Sequence, residues 1–128
     1  MHLTVLPGRF AVCSLPVDAA MPLPVPSGIL WSVTKTRDEL SLVCDSSDAP
    51  SNALAVERDW SALAVAGPLD FSLVGILAAL TAPLAAAEIS IFALSTFETD
   101  YILVKEKSLA RAITTLEEAG HIIRKETL

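Results

Sequence analysis

Ile89-Ser90-Ile91-Phe92-Ala93-Leu94-Ser95-Thr96-Phe97-Glu98-Thr99-Asp100-Tyr101-Ile102-Leu103-Val104 is the stretch whose reading decides the fold. Ile89 to Leu94 is nearly all apolar, and Tyr101 to Val104 is a second apolar run. Two short apolar runs around a polar turn read as adjacent strands. The turn is unusual: it carries Ser95, Thr96, Glu98, Thr99 and Asp100, where two residues would close a hairpin. Donors, acceptors and a charge gathered at strand ends are the material of a small polar-ligand site.

The segments on either side supply the rest of a repeating pattern. Upstream, Trp60 to Ala66 is apolar apart from Ser61 and predicts a buried strand, ended by Gly67-Pro68. Leu73, Ile76, Leu77, Leu80 and Leu84 then recur at three- and four-residue steps, one face of a helix that contains Gly75. Asp70 or Ser72 can cap its first turn, and Pro83 bends or ends it near the last. Downstream, Leu109, Ala112, Ile113 and Leu116 mark a second amphipathic helix, Gly120 its stop, and Ile122-Ile123 a final strand. The order β-α-β-β-α-β is the ferredoxin-like arrangement: two helices on one face of a four-stranded antiparallel sheet.

The first half reads differently. His2 to Leu6, Arg9 to Leu15, Ile29 to Thr34 and Leu40 to Cys44 are strand-like. Pro16 to Gly28 holds four prolines and no helical period, so it predicts a loop or crossing rather than a helix. Asp45 to Asn52 is polar and marks the boundary. The expected class is α+β, with a smaller, mostly β lobe over residues 1–52 and a βαββαβ lobe over 53–128.

Composition narrows the function. At 128 residues and 52% hydrophobic the chain can bury a core, and a net charge of −6 disfavours nucleic acid and anionic membranes. Lys105/Lys107 and Arg124/Lys125 are interleaved with glutamates and read as solvated faces. Phe71 to Ala87 is uncharged but alanine-rich and broken by Pro83, so it reads as a buried helix rather than a membrane span. No secretory signal opens the chain, and a cytoplasmic protein is expected. Cys13 and Cys44 lack CxxC spacing and read as buried thiols. His2, in a mobile terminus, and His121, at a strand entry, have no partner histidine at metal spacing. Glu98 and Asp100 are the one acidic pair that could do acid–base work, and the turn between them undoes the alignment such work needs. No cofactor, metal or catalytic residue is expected.

The second half resembles an ACT domain, a small amino-acid-binding regulatory module. The features that carry the resemblance are Trp60-Ser61-Ala62-Leu63-Ala64-Val65 with Gly67-Pro68-Leu69, the helix with Gly75-Ile76, Pro83 to Phe92, and above all Ser95-Thr96-Phe97-Glu98-Thr99-Asp100-Tyr101-Ile102-Leu103-Val104. That last run is similar to one in cytosolic arginine sensors of the CASTOR type and, more loosely, in aspartate kinase regulatory domains. Trp31 to Val43 resembles the N-terminal ACT-like lobe of those sensors and of bacterial two-lobe relatives, while the proline-rich 16–28 departs from the helix found there.

The resemblance implies a non-catalytic amino-acid sensor or regulatory protein acting as a homodimer, with one ligand between two ACT lobes. Gly75, Ile76, Thr96, Phe97, Thr99 and Asp100 would form one wall, and Ser90 and Ile91 of the partner the other. Asp100 would take the ligand's ammonium. A cationic side chain would want more than one acid in the pocket, so a neutral or aromatic amino acid is favoured over arginine. The competing expectation is a protein-interaction module of the same fold that binds nothing small.

Overall fold

The computed structural model describes residues 1–21, 28–67 and 74–126. The loop reading of Pro16 to Gly28 therefore lies outside it over 22–27, as do Gly67-Pro68's proline and the caps Asp70 and Ser72. Contacts divide the chain into two units, Met1–Pro7 with Ser61–Leu128, and Gly8–Trp60. The expected division was 1–52 and 53–128. Two strands account for the difference. Strand β1 (His2–Val5) pairs with the C-terminal part of β5 (Ala55–Val65), whereas the N-terminal part of β5 pairs with β2 (Phe10–Leu15).

The unit of residues 8–60 is a sheet ordered β3 (Ser32–Lys35), β4 (Leu40–Asp45), β2, β5, every pair antiparallel. Its alternating positions Ala11, Cys13, Leu15, Leu40, Leu42 and Cys44 form one buried cluster, with Trp31, Val33 and Val56 against it. Strand β3 begins at Ser32, not at Ile29, which is half exposed. Both cysteines are free and buried. Burial pushes the Cys44 thiol up to about 12 with the neighbouring Cys13 adding to it, and burial likewise raises Cys13. Each therefore packs as a small apolar group.

In the other unit the expected ferredoxin-like order is present: β5, α1 (Ile76–Ala86), β6 (Ile91–Ser95), β7 (Asp100–Lys105), α2 (Leu109–Glu118), β8 (Ile122–Lys125). The sheet is not the four-stranded one expected. Strand β1 lies between β5 and β8, antiparallel to the first and parallel to the second, giving the order β6-β7-β5-β1-β8. His2 is thus a strand residue opposite Ile122 rather than part of a mobile end. Leu3, Val5, Leu63, Val65, Ile102 and Val104, at every second position, pack against Leu80 and Leu84 of α1 and Ala112 and Leu116 of α2. Both helices therefore cover the same face of the sheet.

Helix α1 is shorter and less enclosed than the sequence implied. Only Leu80 and Leu84 are buried; Ala78, Ala79, Ala82, Ala85 and Ala86 face solvent. No helix among the described residues is long and apolar enough to cross a membrane. Gly75 is not inside the helix but is its N-cap, in the left-handed conformation at φ +77°. Pro83 does sit within the helix. It has no N–H for the Ala79 carbonyl one turn back, and His121 Nε2 donates to that oxygen instead at 3.2 Å.

Candidate functional site

The hairpin β6–β7 closes with Ser95 opposite Asp100, leaving Thr96 to Thr99 as its tip. Thr96 N–H donates to Thr99 O at 2.8 Å. The Thr96 hydroxyl folds inward, donating to Thr99 O at 3.2 Å and accepting from Thr99 N–H at 3.3 Å. A threonine side chain replaces a backbone partner in the turn, which closes a tip of four residues where two would suffice. Phe97 is thrown outward and is 79% exposed.

Asp100 is half-buried, and Ser95 Oγ donates to its Oδ1. That bond fixes the carboxylate and leaves Oδ2 for a second donor. Thr99, beside it, turns the other way: its hydroxyl donates to Val65 O, the last residue of β5, at 2.6 Å. A Cβ added to Gly67 would lie 3.1 Å from Glu98 O and 3.2 Å from Thr99 Cβ. The tip of the hairpin and the exit of β5 are therefore in direct contact.

The N-terminus of α1 shares this end. The helix returns toward the start of β6 through Ile89, whose N–H donates to Leu84 O at 2.9 Å. Eleven helical residues and five extended ones both span about 16 Å, so Gly75 and Ile76 stand level with the tip. A Cβ on Gly75 would meet nothing within 4 Å among the described residues. Among the described residues its requirement for glycine is the positive φ, not close packing. Val74, just before it, is 90% exposed.

Of the residues singled out by sequence, one chain thus brings Gly75, Ile76, Thr96, Phe97, Thr99 and Asp100 to one end. It does not bring Ser90 and Ile91 there. These stand at the opposite end of β6, where Ile91 is paired with Val104. Two participants were missed, Ser95 and Gly67. Nothing local in sequence marked Ser95, because its place directly across the ladder from Asp100 is set by the pairing of β6 with β7. For Gly67 the signal was a glycine at a strand exit, which the following proline disguised as a plain turn.

A second hairpin in the chain separates architecture from chemistry. In the other unit, Thr36 N–H donates to Glu39 O, and Thr36 Oγ1 donates to Glu39 O and accepts from Asp38 N–H. Lys35 and Leu40 occupy the positions of Ser95 and Asp100 as the closing pair. Threonine closes both turns. The carboxylate and its serine occur in one of them only. Among the described residues no cluster of three or more His, Cys, Asp or Glu could hold a metal.

Comparisons with known proteins agree with this architecture. The ACT domain family model matches residues 55–118, and a second model, of an N-terminal domain, matches residues 8–52. The chain belongs to the ACT domain family. It is 34% identical over 112 residues to the human cytosolic arginine sensor for mTORC1 subunit 1, covering 81% of this chain and 34% of that protein. The chain spans about a third of the length of the curated relatives it matches. A crystal structure of an Agrobacterium tumefaciens protein superposes with a TM-score of 0.90 at 33% identity, covering 99% of this chain and 94% of that one. Aspartate kinase of Clostridium acetobutylicum shares the fold, with a TM-score of 0.61 at 12% identity over 88% of this chain and 33% of its own.

Proposed function

We propose that this chain is a non-catalytic regulatory protein that binds a free amino acid between the ACT lobes of a homodimer in the cytoplasm. The observation that carries the reading is Asp100: a carboxylate oriented by Ser95 at the end of the sheet where the start of α1 lies open. An ammonium placed there gains a charge-assisted bond to an acceptor already fixed in position. Gly75 and Ile76 offer backbone at the same end, with Thr96, Phe97 and Thr99 forming the tip. Ser90 and Ile91 stand too far along β6 to serve the same pocket in one chain. They join the site when a second copy lies antiparallel beside it, and their backbone amides, with that of Phe97, then face the ligand's carboxylate.

For the ligand's side chain, we favour a neutral or aromatic amino acid. Asp100 is engaged by the ammonium, and a cationic side chain would need a further acid. Arginine is the first competitor to test, because the human relative is named as an arginine sensor. The reading of the same surface as a protein-docking end with no small ligand is favoured by one observation, the exposure of Val74 and Phe97. Thermal unfolding with each of the twenty natural L-amino acids separates the two. A sensor is stabilised by one or a few of them, and Asp100→Ala abolishes that shift while leaving the dimer intact. No shift with any of the twenty leaves the docking module as the reading.

A further inference from the structure

Thr99 was expected to face a ligand, yet its hydroxyl points into its own lobe. It donates to Val65 O at 2.6 Å, which fastens the hairpin tip to the exit of β5. Gly67 completes the contact: with no side chain, it lets the Glu98 carbonyl and the Thr99 Cβ come within 3.1 and 3.2 Å of where its Cβ would be. Any larger residue there pushes the tip away by a few tenths of an ångström. The chain carries its own control. The hairpin of residues 32–45 also closes on a threonine, Thr36, whose hydroxyl donates to Glu39 O as that of Thr96 does to Thr99 O but accepts from Asp38 N–H, and at the position of Thr99 it has Glu39, which has no hydroxyl to donate. The tie is therefore not needed to build such a turn. It occurs where the turn carries a carboxylate next in sequence.

We infer that Gly67 and Thr99 form a latch that holds the tip, and with it Asp100, at a fixed distance from the start of α1. They are positioning residues for the amino-acid site rather than ligand contacts. The inference rests on the sensor reading for its purpose, though not for its existence. Asp100 follows Thr99 directly, so a tip that lifts from β5 carries the carboxylate with it. A site that must be assembled on binding has its affinity reduced by the fraction of molecules already in the competent state.

The latch can be read without a ligand. Amide hydrogen exchange at Thr96 and Thr99, whose N–H groups are bonded only within the tip, reports its opening. In Thr99→Val, which keeps the shape and loses the hydroxyl, exchange at both amides rises about tenfold, while Leu63 and Ile102 in the core are unchanged. Gly67→Ala does the same, and Thr99→Ser restores slow exchange. In thermal titrations with whichever of the twenty L-amino acids stabilises the parent, the half-saturating concentration rises about tenfold in Thr99→Val and Gly67→Ala, and returns in Thr99→Ser. Exchange at the parent rate in both variants overturns the latch. Faster exchange with unchanged half-saturation overturns the positioning role. If the parent responds to none of the amino acids, the sensor reading falls and the positioning role with it, and exchange alone decides whether the latch exists.

Discussion

At the scale of single residues, the charged side chains are where local chemistry and fold pull against each other. Asp45, at the end of β4, is closed in by glycines: a Cβ on Gly8 would lie 3.6 Å from Oδ1, and one on Gly28 would collide with Oδ2. Burial raises its carboxyl above the ordinary 3.8, with nearby Asp48 adding to the effect. An acid whose folded-state pKa is raised contributes its stability at low pH. That contribution is complete below the unfolded value near 3.8 and is lost as pH rises through the folded value. At neutral pH Asp45 is therefore a net cost. Asp45→Asn removes the charge and keeps the shape, so it raises the melting temperature at pH 7, and the gain shrinks to nothing as pH falls toward 3.8 in paired melts. A gain independent of pH contradicts the assignment to charge burial. The contrast with Asp100 is instructive. Both acids stand at strand ends, but only the pairing of β6 with β7 sets a serine across from one of them. Cross-strand register is a property of the fold, not of the neighbours in sequence.

Among the elements, the two helices end alike, and one end was legible while the other was not. After α2, Gly120 takes φ +97°, with Gly120 N–H donating to Glu117 O and His121 N–H to Leu116 O. After α1, Glu88 takes φ +59°, with its N–H donating to Ala85 O and that of Ile89 to Leu84 O. Both are left-handed caps of the Schellman type, and buried Ile89 supplies the apolar contact that accompanies it. A left-handed backbone costs a residue with a Cβ about 1 kcal/mol. Glu88→Gly should therefore stabilise the protein by about 1 kcal/mol, seen in denaturant melts as a higher midpoint with unchanged slope. A loss of stability would mean that the glutamate side chain outweighs its backbone. Glycine announced the first cap; nothing in the residue type announced the second. The same limit hid the start of β5. Ala55-Val56-Glu57-Arg58-Asp59 ends in three consecutive charged residues and has no strand pattern, yet it pairs with β2 across a bulge, where Val12 faces Glu57 and Phe10 faces Trp60. Asp59 at φ +65° absorbs the extra residue. The helix–strand order of residues 60–125 was readable because each element carries its own period. The insertion of β1 between β5 and β8 was not, because it joins residues at opposite ends of the chain, and no local pattern encodes such a pairing.

For the molecule as a whole, the proposed site has one wall per chain. The tip and Asp100 lie at one end of β6–β7 and Ser90 with Ile91 at the other, so under the proposed reading the ligand is enclosed by two copies placed antiparallel. Binding and association are then linked. An amino acid that binds only the dimer stabilises it by about 2.7 kcal/mol at a hundredfold excess over its dissociation constant, roughly 10 °C in melting temperature for a chain of this size. Dilution of the protein must erode that shift, because it removes the species that binds. Sedimentation velocity at a series of protein concentrations, with and without the stabilising amino acid, reads both sides of the linkage. The expected result is a two-chain species whose dissociation is suppressed by ligand, together with a thermal shift that falls on dilution. Ser90→Trp, at an exposed position remote from the tip of its own chain, should weaken both effects together. A ligand shift that survives dilution into the range where sedimentation shows single chains would place the whole site within one chain, and Ser90 and Ile91 outside it.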